Sequence, residues 1–555
     1  MMQRRRSKTR YRFLSLAVLA AVSTAMWAQG LDSTLLTKPP GDAWPTYHGD
    51  YSGRHYSTLD QVNQSNVNKL TVQWVTRLEA SYTGPNFGGE HKDGDPYFWG
   101  GPTNGVRLAA EPLMVNGVLY VSSPDQAWAL DAHTGREMWH YYWKTSGGIH
   151  IGNRGMAMYR DWLYFVTPDC YLVSLNAKDG SERWHKQIAD VRAQYFCTAA
   201  PVVVCDHVLT GPSGDSLDDQ GYLEARDPET GDIQWKWYTT PQNPGDTGYD
   251  SWPDDYARKH GGGMTWQPPT YDPELNLVYI TTGNANPVFA GQSRKGDNLF
   301  ANSVVALHAD TGKMAWYFQF TPHDTHDWDN TQVPVLFDAP FNGQEKKLLG
   351  ETASNGYFFL LDRTNGKNLI TAPFTDFPNW ALGKNSKGQL IPNPEKDPTP
   401  DGVLIAPGKA TNWPPPTFDP QVGLFITGMA QGTNILYLTD TNARPEGWAA
   451  IGNGQGPIAN EGAIRAIDYK TGKIRWSHSL PSNGVQGLLS TAGHLLFGSD
   501  TTGNFVAYDP ATGKSLWHCA LMSNPTNGPE TFMLDGKQVI LIAAADTLYA
   551  FVLSD

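Results

Sequence analysis

Cysteine is scarce in this sequence: Cys170, Cys197, Cys205 and Cys519 are the only four in 555 residues. They are compatible with an oxidising compartment but too few to staple so long a chain. Cys197 and Cys205 are close enough in sequence to pair, and could equally stand as buried thiols in strands. No Cys-x-x-Cys-His run occurs, so the chain carries no c-type haem of its own. Charge is also sparse, at 17% of residues with a net balance of −13. Beyond the first dozen residues there is no basic stripe that could follow a phosphate backbone, which makes nucleic acid an improbable partner. Past residue 27 no apolar run approaches the roughly 20 residues of a spanning helix, so no integral membrane segment is expected in the mature protein. Few charges and no long polar tracts exclude a coiled coil or a disordered scaffold.

Turn formers and aromatics are abundant: 56 glycines, 39 prolines and 20 tryptophans, the composition of a turn-rich β protein. The N-terminus differs from the rest. Residues 1–12 contain Arg4, Arg5, Arg6, Lys8, Arg10 and Arg12, followed by an apolar run over 13–27 and small residues ending near Ala28. That order predicts a signal peptide over 1–28, cleaved after Ala25 or Ala28, and a periplasmic mature protein. The alternative is an uncleaved anchor, for which the apolar run is short.

A ten-residue pattern recurs: a hydrophobic strand ending in Asp or a substitute, a Thr-Gly-like turn, and Trp four residues after the Gly. Its copies are LDAHTGREMW, LNAKDGSERW, RDPETGDIQW, LHADTGKMAW, IDYKTGKIRW and YDPATGKSLW, while LDRTNGKNLI keeps Gly366 but has Ile370 in the Trp position. Each copy predicts a hairpin in which Asp caps the turn, Gly takes the φ > 0 position and Trp lies on the next strand. An indole at a fixed place in each repeat can fill the gap between neighbouring four-stranded sheets stacked about an axis. Trp74, in KLTVQW, is an eighth such strand without its own hairpin, and the C-terminal strand 547–553 is its natural partner. The expectation is one all-β, eight-bladed β-propeller over 40–555, closed by its N- and C-terminal strands. Long gaps from Trp235 to Trp316 and from Ile370 to Trp476, the second including the Pro-rich stretch 373–415, predict loop insertions suited to carrying a site.

The Trp repeats, the segment WPTYHGDYSGRHYSTLDQVNQSNV (44–67) and the block YDPELNLVYITTGNANP (271–287) resemble the quinoprotein alcohol dehydrogenases, the PQQ-dependent methanol and ethanol dehydrogenase family. The likeness runs in order through nearly the whole mature chain. It implies pyrroloquinoline quinone (PQQ) on the propeller axis, a Ca²⁺ or lanthanide ion, oxidation of a small-molecule alcohol to an aldehyde, and transfer of electrons to a separate acceptor such as cytochrome c. Trp266, in GGGMTW, lies outside the repeat register and 18 residues before Asn284, matching the family's stacking Trp and metal-binding Asn. In TPHDTHDWD, Asp327 matches the catalytic base. Asp329 falls where lanthanide-using members have an extra acidic ligand. A base beside a cation stays ionised at neutral pH, and strand alternation would place both carboxylates on one face. Arg154 in GNRG, Thr198, Ser213, Gly214, and Asn412 with Trp413 in ATNWPP match further cofactor contacts.

The sequence also departs from the family. Gly148 and Ile149 stand where methanol dehydrogenases have adjacent cysteines. Ser216 replaces a metal-binding Glu, with Asp215, Asp218 or Asp219 near enough to substitute. Ala109 replaces a Glu that contacts the cofactor, with Glu111 a possible substitute, and Ser354 replaces a cation near the quinone carbonyl. A cofactor-free propeller serving as a binding or assembly scaffold is therefore the alternative to an enzyme, although there is no lipobox Cys near the cleavage site. Missing the cysteine pair, the site could also admit sugars or polyols.

Overall fold

The Asp of the repeat caps its turn as expected. Asp131 Oδ1 accepts the His133 N–H (2.8 Å), and Gly135 donates its N–H to the Asp131 carbonyl (2.8 Å) at φ +68°. Strand Glu137–Tyr142 follows and completes a four-stranded antiparallel blade with Leu113–Val115, Val118–Ser123 and Gln126–Asp131. The computed structural model describes residues 30–78, 107–148, 151–214, 218–330, 332–444, 451–455, 461–482 and 485–554. The expected signal peptide, Ile149, Asp215 and Ser216 lie outside the described residues.

Eight such blades form a β-propeller. The first strands of neighbouring blades touch one another, as in the series Thr270–Asp272, Val335–Phe341, Thr417–Asp419 and Leu489–Thr491, so these strands line the axis. The ring is closed by the two ends of the chain. Leu70–Arg77 pairs antiparallel with Thr547–Leu553, placing Trp74 opposite Ala550.

In every blade the outermost strand has a β-bulge immediately before the Trp position: Met138 before Trp139, Arg183 before Trp184, and Leu369 before Ile370 are examples. A bulge re-aims the next side chain and sharpens the local twist. Here it turns the indole towards the adjacent blade, where Nε1 donates to a turn carbonyl. The bonds run from Trp74 to Ala132 (3.0 Å), Trp139 to Ala177 (3.0 Å), Trp184 to Glu229 (2.9 Å), Trp235 to Ala309 (2.8 Å), Trp316 to Arg363 (3.1 Å) and Trp476 to Pro510 (3.0 Å). The ring face lies on the Gly of that turn. A Cβ on Gly180 would stand 2.6 Å from Trp139 Cε3, so the same Gly serves both the turn and the seam. At the exceptional seam, Ile370 Cγ2 lies against Gly472, 2.8 Å from where a Cβ would be. Trp517 faces the closing blade, which has no turn motif, and meets Phe551 edge-on at 5.7 Å.

The segment 41–57 runs across one end of the axis and bonds to inner strands in turn. Trp44 exchanges backbone hydrogen bonds with Met114, and the carbonyls of Tyr51, Ser52, Arg54 and His55 accept from Tyr271, Leu336, Phe418 and Ser490. The other end of the axis is left for the long loops.

One cysteine expectation is corrected. Cys197 pairs with Cys170 rather than Cys205, with a Cα–Cα separation of 5.1 Å. Cys205 and Cys519 are free, and Cys205 is exposed. Adjacent blades bring Cys170 to Cys197, whereas the hairpin Val202–Val204 to His207–Thr210 carries Cys205 away along its own blade.

Candidate functional site

The loops at the open end of the axis surround a cavity of about 470 Å³. Its aromatic side starts at Gly262 and Gly263, which take φ +67° and +77°. The Gly263 N–H donates to the Asn284 carbonyl (2.7 Å), and the Gly283 N–H donates to the Met264 carbonyl (2.8 Å). A Cβ at Gly262 would come within 2.8 Å of the Asn284 carbonyl oxygen, so only Gly permits this approach. The result places Trp266 beside Asn284 on the cavity wall.

The acidic pair comes from the loop after strand Met314–Gln319. Buried Asp324 organises it, accepting the N–H groups of His326 (3.0 Å) and Trp328 (3.1 Å). His326 and Trp328 stack at 4.2 Å and turn into the protein, leaving Asp329 on the cavity lining and Asp327 bonded to Asn284. Both carboxylates face Asn284 and Lys409, but not through the expected strand alternation. The segment is irregular, and Asp327 and Asp329 hold left-handed φ values of 60° and 47°. Asp tolerates that region because its short polar side chain bonds locally.

Asn284 ties the pair together. Its Nδ2 donates to Asp327 Oδ1 (2.7 Å), its N–H donates to Asp329 Oδ1 (2.9 Å), and its Oδ1 accepts the Asp329 N–H (2.8 Å). Lys409 Nζ stands 3.7 Å from Asp327 Oδ2 and 3.9 Å from Asp329 Oδ2. Burial pushes the Asp327 carboxyl up to about 7, against the pull of Lys409 and with the push of Asp329. Asp329 is likewise raised by burial. The two carboxylates hold the Lys409 ammonium above its ordinary value despite its burial.

Opposite stand the cationic and hydroxyl groups. The Arg154 guanidinium lies 4.8 Å from the Trp266 ring and 5.5 Å from the Trp413 ring and donates to Thr198 Oγ1. Burial lowers it to about 10. The Ser213 hydroxyl oxygen accepts the N–H groups of Thr198 (2.8 Å) and Ala199 (3.1 Å), fixing the strip that holds Arg154. The Phe196 ring lies on Gly214, where a Cβ would be 2.1 Å from Cζ. Asn412 and Arg107 complete the wall. Buried Nε atoms of both Arg107 and Arg154 have no hydrogen-bond partner.

Residues 44–401, well over half the chain, match the family described as glucose/ethanol/alcohol dehydrogenase, beta-propeller domain. The chain belongs to the quinoprotein alcohol dehydrogenase family. It is 33% identical over 541 residues to a quinohemoprotein alcohol dehydrogenase of Comamonas testosteroni, covering 90% of this chain and 72% of that one. It is 32% identical to quinoprotein alcohol dehydrogenase PedH of Pseudomonas putida, covering 89% and 84%. Among solved structures, a europium-containing methanol dehydrogenase superposes with TM-score 0.79 at 27% identity, covering 94% of this chain and 99% of that one. Residues 460–555 also match the family described as outer membrane protein assembly factor BamB.

Seen as a quinoprotein site, the cavity collects Arg154, Thr198, Ser213, Gly214, Trp266, Asn284, Asp329, Asn412 and Trp413 on its lining, with Asp327 bonded behind Asn284. It also corrects some substitutions. Ala109 lines the cavity, but Glu111 does not and turns instead towards His55. Neither Asp218 nor Asp219 reaches it; the Asp218 carbonyl accepts from His260 Nδ1 (2.9 Å) on a different cavity. Ser354 is buried and donates to the Thr411 carbonyl (2.9 Å), bracing the strip from which Lys409 projects. Two lining cations, Lys409 and Arg107, were not singled out in the sequence. Lys409 lies three residues before Asn412, on the same Pro-rich insertion, and that proximity was the available signal.

Proposed function

We propose that the protein is an exported PQQ-dependent oxidoreductase that converts an alcohol to an aldehyde and hands its electrons to a separate acceptor such as a cytochrome c. The carrying observation is that one cavity gathers three cations, two indoles and the Asp329 carboxylate, with Asp327 bonded behind Asn284. A tricyclic tricarboxylate fits that donor set: Trp266 and Trp413 offer flat apolar faces, and the unpartnered Nε atoms of Arg107 and Arg154 await acceptors. A scaffold has no need of this set.

When bound, the quinone supplies a two-electron acceptor for hydride from the carbinol carbon. Arg154 and Arg107 would hold its carboxylates, with Thr198, Ser213 and Asn412 fixing its orientation. Asn284, Asp327 and Asp329 present the oxygen donors that a hard cation takes, and a trivalent lanthanide would gain from the second carboxylate. Asp327 is the base. Its Oδ1 is occupied by Asn284 Nδ2, so Oδ2 is the atom that takes the alcohol proton. Lys409 steadies the charge on both carboxylates and stands in for the cation missing at Ser354.

Gly148 and Ile149 provide no cysteine ring over the cavity, so sugars and polyols belong in the substrate screen. Among the described residues no helix is long and apolar enough to cross a membrane. Purified protein reconstituted with PQQ and either Ca²⁺ or La³⁺ should take up the cofactor and oxidise alcohols with an artificial dye, and reduce cytochrome c. Failure to take up PQQ with either metal would overturn the reading. N-terminal sequencing of the periplasmic form should place the cut at Ala25 or Ala28.

A further inference from the structure

Beneath the cavity three side chains meet in the interior. His48 and His55 come from the segment that crosses the ring, and Glu111 precedes the first inner strand. Their exposures are 4%, 0% and 1%, and one ligand atom from each lies within 4.8 Å of the others. Neither carboxylate site residue nor cofactor contact is among them.

We propose that His48, His55 and Glu111 form a second metal site, a structural one for a divalent transition ion with zinc preferred, which clasps the segment 41–57 to the floor of the propeller. His55 carries the first part of the argument. Its Nδ1 contacts the Leu488 carbonyl, and a carbonyl only accepts, so Nδ1 bears the proton. In the neutral ring Nε2 then presents a lone pair, yet it faces Glu111 Oε2 at 3.3 Å. Two lone pairs are stable in that position only with something positive between them.

A proton shared by His55 and Glu111 would serve that pair alone. It would leave His48, whose two buried nitrogens have no hydrogen-bond partner. His48 Nδ1 is 3.8 Å from the same Glu111 Oε2, beyond hydrogen-bond range. Ligands about 2.1 Å from a tetrahedral ion lie about 3.4 Å apart, between the two observed separations. One ion therefore satisfies all three groups.

The surroundings agree. The His55 Nδ1–H directed at a backbone carbonyl is the supporting bond that orients a metal-bound imidazole. The His48 ring is held by Tyr47 at 4.3 Å and His55 at 5.5 Å. Glu530 is fully buried nearby with both oxygens unpartnered. Among the described residues Glu111 makes ion-pair contacts with His48 and His55 and with no Lys or Arg. Two imidazoles and a carboxylate favour zinc over calcium or a lanthanide, which separates this site chemically from the oxygen donors around Asp327. The Glu111 N–H donates to the Arg154 carbonyl (3.1 Å), so the clasp would lie directly behind the arginine on the cavity wall.

The test is elemental analysis of the full-length protein after dialysis against dipicolinate and reloading with Zn²⁺, with and without PQQ. We expect about one tightly held zinc per chain, retained whether or not PQQ binds, and an apparent melting temperature that falls on chelation and recovers with Zn²⁺. His48→Ala and Glu111→Gln should each reduce bound zinc at least tenfold while calcium or lanthanum uptake is unchanged. If these variants fail to fold, zinc X-ray absorption on the wild-type protein should show two imidazoles and an oxygen ligand. Zinc binding weaker than micromolar, zinc content unchanged in folded variants, or a ligand shell without imidazole would overturn the proposal.

Discussion

If the Trp seam depends on contact with the turn Gly, Gly135→Ala should be costly for two separable reasons. The backbone at Gly135 has φ +68°, a region that costs an L residue about 1–2 kcal/mol. The added methyl would also stand 2.2 Å from Thr76 Oγ1 and 2.6 Å from Trp74 Cε3. Thr76 could rotate only by giving up its bond to the Gly135 carbonyl (2.8 Å). Trp74 cannot retreat, because its Nε1 is bonded to Ala132 and its ring is buried. Overpacking of this kind costs a further 1–3 kcal/mol or about that, giving a total of about 2–5 kcal/mol. Gly536→Ala is the matched control: φ is +76° and nothing lies within 4 Å of the new Cβ, so it should cost only about 1–2 kcal/mol. At roughly 2.1 cal/mol/K per residue, 1 kcal/mol shifts the melting temperature of a chain this size by about 1 °C. Scanning calorimetry should therefore show a drop of about 2–5 °C for Gly135→Ala and about 1–2 °C for Gly536→Ala. Trp74→Leu should recover part of the difference. Equal shifts for the two Gly variants would refute the claim that the indole is seated on Gly135.

Three further outcomes are expected. Arg154→Met removes a buried charged partner for the cofactor and should weaken PQQ binding, read by quenching of Trp fluorescence, by about 30-fold or more; unchanged affinity would remove Arg154 from the site. Burial raises the Glu351 carboxyl well above its usual range. The stability carried by its protonated form is complete below the ordinary carboxylate value and is lost as pH rises through the raised one. Denaturant midpoints of the wild type should accordingly fall between pH 5 and 8, and fall less in Glu351→Gln. Breaking Cys170–Cys197, which are 27 residues apart, should cost about 3–4 kcal/mol by loop entropy, whereas Cys205→Ser should cost little; peptide mapping that finds Cys197 joined to Cys205 would contradict the pairing.

The ring was legible because its punctuation is local. Asp, Gly and Trp sit within ten residues of each other, and each acts through a turn or a neighbouring strand. The bulge before each Trp was not legible, since Met138, Arg183 and Leu369 have nothing in common that marks them as unpaired. The bulge follows from the geometry of the seam, not from the residue that occupies it. The cysteine pairing failed for a related reason. Cys197 and Cys205 are near in sequence, but a blade places residues eight apart along its own hairpin and brings residues from the preceding blade alongside.

The site shows the same division, and it bears on how this chain compensates for its departures. Trp266, Asn284 and Asp327 could be placed because each sits in a motif held by loop bonds within its own blade. Replacements could not be placed, because compensation occurs across the cavity. A Glu at position 109 would have put a carboxylate on the wall that Arg107 and Arg154 share. With Ala109 there, both Nε atoms remain unpartnered, and neither guanidinium makes an ion pair with a carboxylate among the described residues. Ser354 gives up a charge, but its hydroxyl braces the Thr411 carbonyl, and from that strip Lys409 reaches both Asp327 and Asp329. The lining thus sets Arg107, Arg154 and Lys409 against Asp329, with Asp327 behind Asn284. Arg107 and Arg154 suit an anionic ligand better than a charge-balanced pocket would, since neither is committed to an internal acid and both are available without the cost of breaking an existing pair. The lost glutamate and the relocated cation therefore act in the same direction, towards retention of an anionic cofactor.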